Sequence, residues 1–73
     1  MFETTDFNTI VLLKHYGIPF ERVDIDTRGR KTVYFANTSE LQNILLAYDN
    51  NTIMVKARDW MRTINDIKEF VHR

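Results

Sequence analysis

Few side chains in this sequence are of the types that do chemistry, and their spacing works against it. The 73 residues contain no cysteine, so a thiolate nucleophile and a thiolate metal site are both excluded. The two histidines are His15 and His72. Neither has a serine and an aspartate near it in the order of a catalytic triad, and neither belongs to a spacing that converges metal ligands. His15 falls in the last turn of an expected helix, where a partly charged imidazole suits the negative end of the dipole. His72 stands next to the final residue, on a turn expected to fray. The only glycines, Gly17 and Gly29, are isolated, so no glycine-rich loop exists to cradle a nucleotide. The expectation is a chain with no catalytic residue, no cofactor and no metal. It acts by binding.

The binding candidates are cations. Arg28, Arg30 and Lys31 cluster at the tip of an expected hairpin, with Arg22 and Tyr34 behind them. Such a tip suits a phosphate or an acidic protein surface: Gly29 lets the backbone approach, and the Tyr34 ring can stack on a base. The plainer reading is a solvated turn in which Asp24 and Asp26 neutralise the cations, or a charged guard on an edge strand. Lys56, Arg58 and Arg62 form a second basic group, with Asp59 and Asp66 close by. Ten basic and ten acidic residues give zero net charge, which argues against a dedicated nucleic-acid binder while leaving room for a local patch. Trp60 and Met61 read as core. If either is exposed beside Val55, it becomes the best anchor for a partner, because Trp is enriched in interface hot spots.

These residues need elements to hold them. Residues 7–16 read as a helix, capped by Thr5 or Asp6 and stopped by Gly17-Ile18-Pro19. Its run Ile10-Val11-Leu12-Leu13 covers most of the circumference, so it should be the most buried element. Residues 20–26 and 30–36 read as a hairpin turned by Asp26-Thr27-Arg28-Gly29. That turn pairs Val23 with Val33, Glu21 with Phe35 and Ile25 with Lys31 on one, apolar face. On the other it pairs Arg22 with Tyr34, Asp24 with Thr32 and Asp26 with Arg30. Glu21 then points at the apolar side, either as a protonated acid or as a residue at the sheet margin.

Asn37-Thr38-Ser39-Glu40 has the spacing of a capping box, with Asn37 as cap and Glu40 reaching back. The helix it opens carries Leu41, Ile44, Leu45 and Tyr48 on one stripe and ends at Asp49-Asn50-Asn51. Residues 57–72 form a last helix with Trp60, Met61, Ile64, Ile67 and Val71 inward. A two-stranded sheet is marginal alone, so Phe2–Thr5 or Ile53–Val55 should add a strand. An uncovered edge would remain, which is a route to a homodimer by strand pairing.

One domain spanning residues 1–73 follows, an α+β fold in which a β-hairpin, extended by one short strand, packs against three α-helices. An apolar fraction of 44% is ordinary for a globular chain. A core of this size rarely yields more than about 3–5 kcal/mol of net stability. The longest apolar run, Ile10–Leu13, is far short of the ~20 residues of a membrane span, and the N-terminus lacks the pattern of a signal peptide. With no cysteine, the expected compartment is the cytoplasm.

The layout resembles a small prokaryotic and phage domain family of unknown function. The resemblance is carried by the capped helix Thr4-Thr5-Asp6-Phe7 to Tyr16-Gly17-Ile18, by the hairpin Gly29-Arg30-Lys31-Thr32-Val33-Tyr34-Phe35, and by Trp60 to Ile67-Lys68. The sequence departs from that pattern at Lys56, where a polar helix cap such as Asp or Asn is the rule. The resemblance implies a phage or mobile-element origin and no activity. The resulting expectation is a non-catalytic protein that docks on a host or self protein through Arg22, Arg28, Arg30, Lys31 and Tyr34. The alternative is a small nucleic-acid-binding accessory protein using the same tip.

Overall fold

The computed structural model describes residues 1–71; the turn expected around His72 lies outside the described residues. The chain runs β1 (Phe2–Thr4), α1 (Phe7–His15), β2 (Arg22–Ile25), β3 (Lys31–Phe35), α2 (Ser39–Asp49) and α3 (Ala57–Val71). The three strands form one antiparallel sheet in the order β1-β3-β2, so the last strand in sequence is the central one. This is the expected α+β class. The added strand is the N-terminal one. Residues 52–55 form no strand; Thr52 is instead tied to the end of α2, its N–H and hydroxyl both bonding the Ala47 carbonyl at 2.9 and 3.0 Å.

The hairpin has the expected register over its strands, with Arg22 facing Tyr34, Val23 facing Val33, Asp24 facing Thr32 and Ile25 facing Lys31. The turn explains why. Gly29 adopts φ +81°, its N–H bonds the Asp26 carbonyl at 3.1 Å, and the Asp26 N–H bonds the Arg30 carbonyl at 3.0 Å. The Asp26 carboxylate then accepts from the Arg28 and Arg30 N–H groups, both at 2.9 Å. The register breaks at Glu21. Its N–H bonds the carbonyl of Tyr34, the residue Arg22 already faces, at 2.8 Å. Two residues thus stand against one, the geometry of a β-bulge, and Glu21 turns out to solvent instead of lying over Phe35. The sheet-margin reading of Glu21 holds.

The helix ends show which local signals governed. Asp6 caps α1, accepting from the Thr9 N–H at 2.9 Å and hydroxyl at 2.8 Å. At the far end Gly17 is left-handed at φ +78°, and the Ile18 N–H reaches back to the Leu13 carbonyl at 3.0 Å. The cap of α2 is Thr38 rather than Asn37: the Thr38 hydroxyl accepts from the Leu41 N–H at 3.1 Å. Asn37 accepts instead from the Gln42 side-chain amide at 2.6 Å, and Glu40 contributes only its charge to the first turn. Asn51, at φ 58°, closes α2 as the left-handed residue.

The core lies between the inner face of the sheet and the helices. Ile10, Val11, Leu12 and Leu13 are all buried, so the central turn of α1 is covered all round, with α3 packed against it. Val33 and Phe35 from β3, Ile18, Leu41 and Ile67 complete the buried set. The ring of Phe35 meets those of Phe20 and Phe2 at 5.4 and 6.4 Å, and Phe20 in turn meets Phe70 at 5.3 Å. On α3 the inner stripe is Trp60, Ile64, Ile67, Phe70 and Val71. Met61 does not belong to it and is 56% exposed.

The two cap residues give a direct check. Thr38→Ala is expected to lower the stability to urea by about 1 kcal/mol, and Asn37→Ala by less than about 0.5 kcal/mol. The reverse order would restore the expected capping box.

Candidate functional site

The five residues expected to form one contact surface are divided between two faces and a turn. Arg22 and Tyr34 stand side by side on the outer face of the sheet, with the guanidinium 4.2 Å from the ring centroid. Asp24 completes the group, bonding Arg22 at 3.2 Å. Glu3 faces Tyr34 from β1 on the same outer surface. Contact with Tyr34 and then the charge of Asp24 hold the Arg22 guanidinium more firmly protonated than usual. For the Tyr34 phenol, Arg22 pulls the pKa down, while partial desolvation and the Asp24 and Glu3 carboxylates push it up, and the push prevails.

Arg28 and Arg30 are exposed at the tip, where their backbones are fixed by Asp26. That carboxylate bonds both amides through one oxygen and forms no ion pair with either guanidinium. The Arg22–Asp24 contact is the one salt bridge among the described residues. Direct ion pairing at the hairpin is therefore confined to Arg22, while Asp26 offsets the charge of the tip without touching either guanidinium.

Lys31 is not part of the tip. Strand alternation turns it inward, where its ammonium donates to the Phe70 carbonyl and lies 4.7 Å from the Phe70 ring centroid. It serves as a cationic cap on the C-terminal end of α3, where the orphan carbonyls and the dipole favour positive charge. The second basic group, Lys56, Arg58 and Arg62, is exposed along the start of α3.

His15 is half-buried between rings, 5.3 Å from both Tyr16 and Trp60 in edge-on contacts. Its Nδ1 lies 3.3 Å from the Thr63 hydroxyl, which itself donates to the Asp59 carbonyl at 3.0 Å. With that hydroxyl proton used, Nδ1 must carry hydrogen for the contact to form. This is a structural histidine joining α1 to α3.

What the sequence did not disclose is an apolar groove of about 570 Å³ between the end of α1, one face of α2 and the segment after it. Tyr16, Ile44, Ala47, Ile53 and Met54 line it together with the polar Glu40, Asn43 and Thr52. Met54 is 90% exposed, and Val55 and Met61 are exposed as well. The helical spacing of Glu40, Asn43, Ile44 and Ala47 was the available signal, since those four share a face. It was hidden by the more regular stripe of Leu41, Leu45 and Tyr48.

The fold defines a small α+β domain. The chain belongs to the DUF5659 family, a domain of unknown function, whose pattern matches residues 1–72. No curated protein and no solved structure matches the chain. Among the described residues, no helix is long and apolar enough to cross a membrane.

Two measurements check this assignment of roles. Lys31→Met keeps the aliphatic stem and removes the charge; it is expected to cost about 1 kcal/mol in thermal unfolding, against less than about 0.5 kcal/mol for Arg28→Met. Tyr34 is expected to ionise above the ordinary tyrosine value near 10, as followed by phenolate absorbance, and Asp24→Asn should bring it down. Because the folded pKa is the raised one, this contribution to stability is complete below the unfolded value and is lost as pH rises through the folded one.

Proposed function

We propose that this chain is a non-catalytic interaction domain that docks on a partner protein. The observation that carries this reading is the apolar groove of Tyr16, Ile44, Ala47, Ile53 and Met54. A domain with so small a core gains nothing for its own stability by leaving Met54 and its neighbours in water. Clustered exposed apolar side chains beside a concavity are the usual mark of a protein contact. Met61 and Val55 add two further exposed apolar side chains, while Trp60 is half-buried. We further place the protein in a phage or other mobile element, on the resemblance of its layout, and in the cytoplasm, on its lack of cysteine.

A second reading is favoured by one observation. Arg28 and Arg30 project from a turn pinned by Asp26, and neither guanidinium is held in an ion pair among the described residues, so both can turn to an incoming anion. That supports binding of a nucleic acid or another polyanion through the tip.

Affinity capture with three forms of the chain separates the two. Met54→Glu alters an exposed side chain and should leave the fold intact, yet it should reduce recovery of the bound protein at least tenfold. The Arg28→Ala/Arg30→Ala variant should retain that protein, with little dependence on salt. If Met54→Glu binds as well as wild type, the groove is not the docking site. If the bound species is nucleic acid, released steeply by salt and lost with the arginine variant, the second reading replaces the first.

A further inference from the structure

The edge of the sheet carries a feature separate from the groove. β2 is an edge strand, paired only with β3. The Asp26 N–H bonds the Arg30 carbonyl, and antiparallel ladders alternate between bonded and non-bonded pairs, so Asp24 and Arg22 also direct their backbone groups at β3. The backbone groups of Val23 and Ile25 therefore point away from the sheet. The Ile25 side chain is 64% exposed. Beside it, Arg22 and Asp24 stand two residues apart on the outer face, with side chains 60% and 51% exposed.

We propose that β2 is a self-association site and that its partner is a second copy of this chain. The second β2 adds antiparallel, with a two-fold axis perpendicular to the sheet at Val23. Each Val23 then exchanges N–H and C=O bonds with Val23 of the other copy, and the Ile25 N–H meets the carbonyl of Glu21 across the axis. On the outer face this register sets Arg22 opposite Asp24 of the second copy and Asp24 opposite Arg22. The result is a four-charge cluster of alternating sign in non-bonded positions, where cross-strand side chains come closest. On the inner face Ile25 lies diagonal to Val23 of the other copy and loses exposure.

A run of one sign along an edge guards against such pairing. The alternation of Arg22 and Asp24 about Val23 does the opposite, because a two-fold axis there makes the strand complementary to itself. Shifting the register by one residue in each direction would set Asp24 against Asp24, which like charge disfavours. The other free edge lacks this property. On β1 the outward backbone belongs to Glu3, since Phe2 and Thr4 face Phe35 and Val33, and a two-fold axis there would oppose Glu3 to Glu3. Zero net charge leaves no long-range repulsion between copies. A single pair of short strands makes a small interface, so the dissociation constant should be on the order of tens of micromolar.

The test is sedimentation equilibrium of the intact chain up to about 500 µM, well above that range, with circular dichroism confirming that each variant is folded. Wild type should dimerise, and Arg22→Asp and Asp24→Arg should each weaken the dimer at least tenfold. The double variant Arg22→Asp/Asp24→Arg restores opposite signs across the axis and should recover affinity to within about threefold; an equimolar mixture of the two single variants should form a mixed dimer. Ile25→Pro removes an outward N–H without touching the bonds between β2 and β3, and should also weaken the dimer tenfold. A wild-type chain that stays monomeric throughout, or a double swap that fails to recover, overturns the proposal. So does a dimer abolished by Met54→Glu and untouched by Ile25→Pro, which would place self-association in the groove.

Discussion

The burial of one face of β3 is the constraint on which the other contacts hang. Among the described residues β3 is the only strand bonded on both sides, so its position fixes β1 and β2 at once. Its inward side chains, Val33 and Phe35, have no exposure, and they are the surface against which α1 lies. Phe35 then reaches β1 through Phe2 and the segment before β2 through Phe20, and Phe20 reaches the end of α3 through Phe70. Burying an aromatic side chain contributes roughly 1.5–3 kcal/mol. That is comparable with the whole net stability expected of a domain this size. One strand therefore decides whether the sheet, α1 and α3 exist as a unit.

Most of the fold was legible because most of its signals are local. Asp26 and Gly29 fix the hairpin register through bonds that span no more than four residues. Gly17, Ile18 and Pro19 end α1 in the same local way. The failures are all contests that local chemistry leaves balanced. Asn37 and Thr38 are both good caps, and the choice turns the first helical residues by about 100°; it is settled by the need to bury Leu41, which packs in the core. Phe2–Thr4 and Ile53–Val55 are equally strand-like, and the first prevails because its partner edge on β3 is free while Thr52 is tied to Ala47. Met61 was grouped with Trp60, yet it stands about 100° round the helix from the line of Trp60, Ile64, Ile67 and Val71, on the side that faces solvent.

The candidate site divides along the same line. Arg22, Asp24 and Tyr34 were correctly brought together because pairing register is itself local in a hairpin. Lys31 was misplaced although strand alternation puts it opposite Arg30, and its partner Phe70 is 39 residues away. No spacing rule connects two such positions; only the docking of α3 across the sheet does. The groove was invisible for a similar reason. Its walls come from α1, α2 and the segment at 52–54, which the sequence gives no reason to bring together.

The way α2 is held gives the groove physical meaning. The central turn of α1, Ile10–Leu13, is buried, and α3 is held by Ile67, by Phe70 and by the Lys31 cap. Like α3, α2 has one buried residue, Leu41, with Ile44 and Leu45 half-buried and Leu46 and Tyr48 exposed, but among the described residues no side chain from another strand or helix caps it as Lys31 caps α3. Its ends are closed by local bonds alone, from Asn37 and Thr38 at one and from Asn50, Asn51 and Thr52 at the other. An element so attached sits at the low end of local stability, where opening is easiest. Ile44 and Ala47 line the groove, so an occupant that covers them adds burial to the helix that lacks it. By linkage, whatever binds the folded groove and not the opened one stabilises α2 by the same free energy. Were the groove to bind a partner as proposed, its occupancy and the integrity of α2 would be one equilibrium, with no second site required.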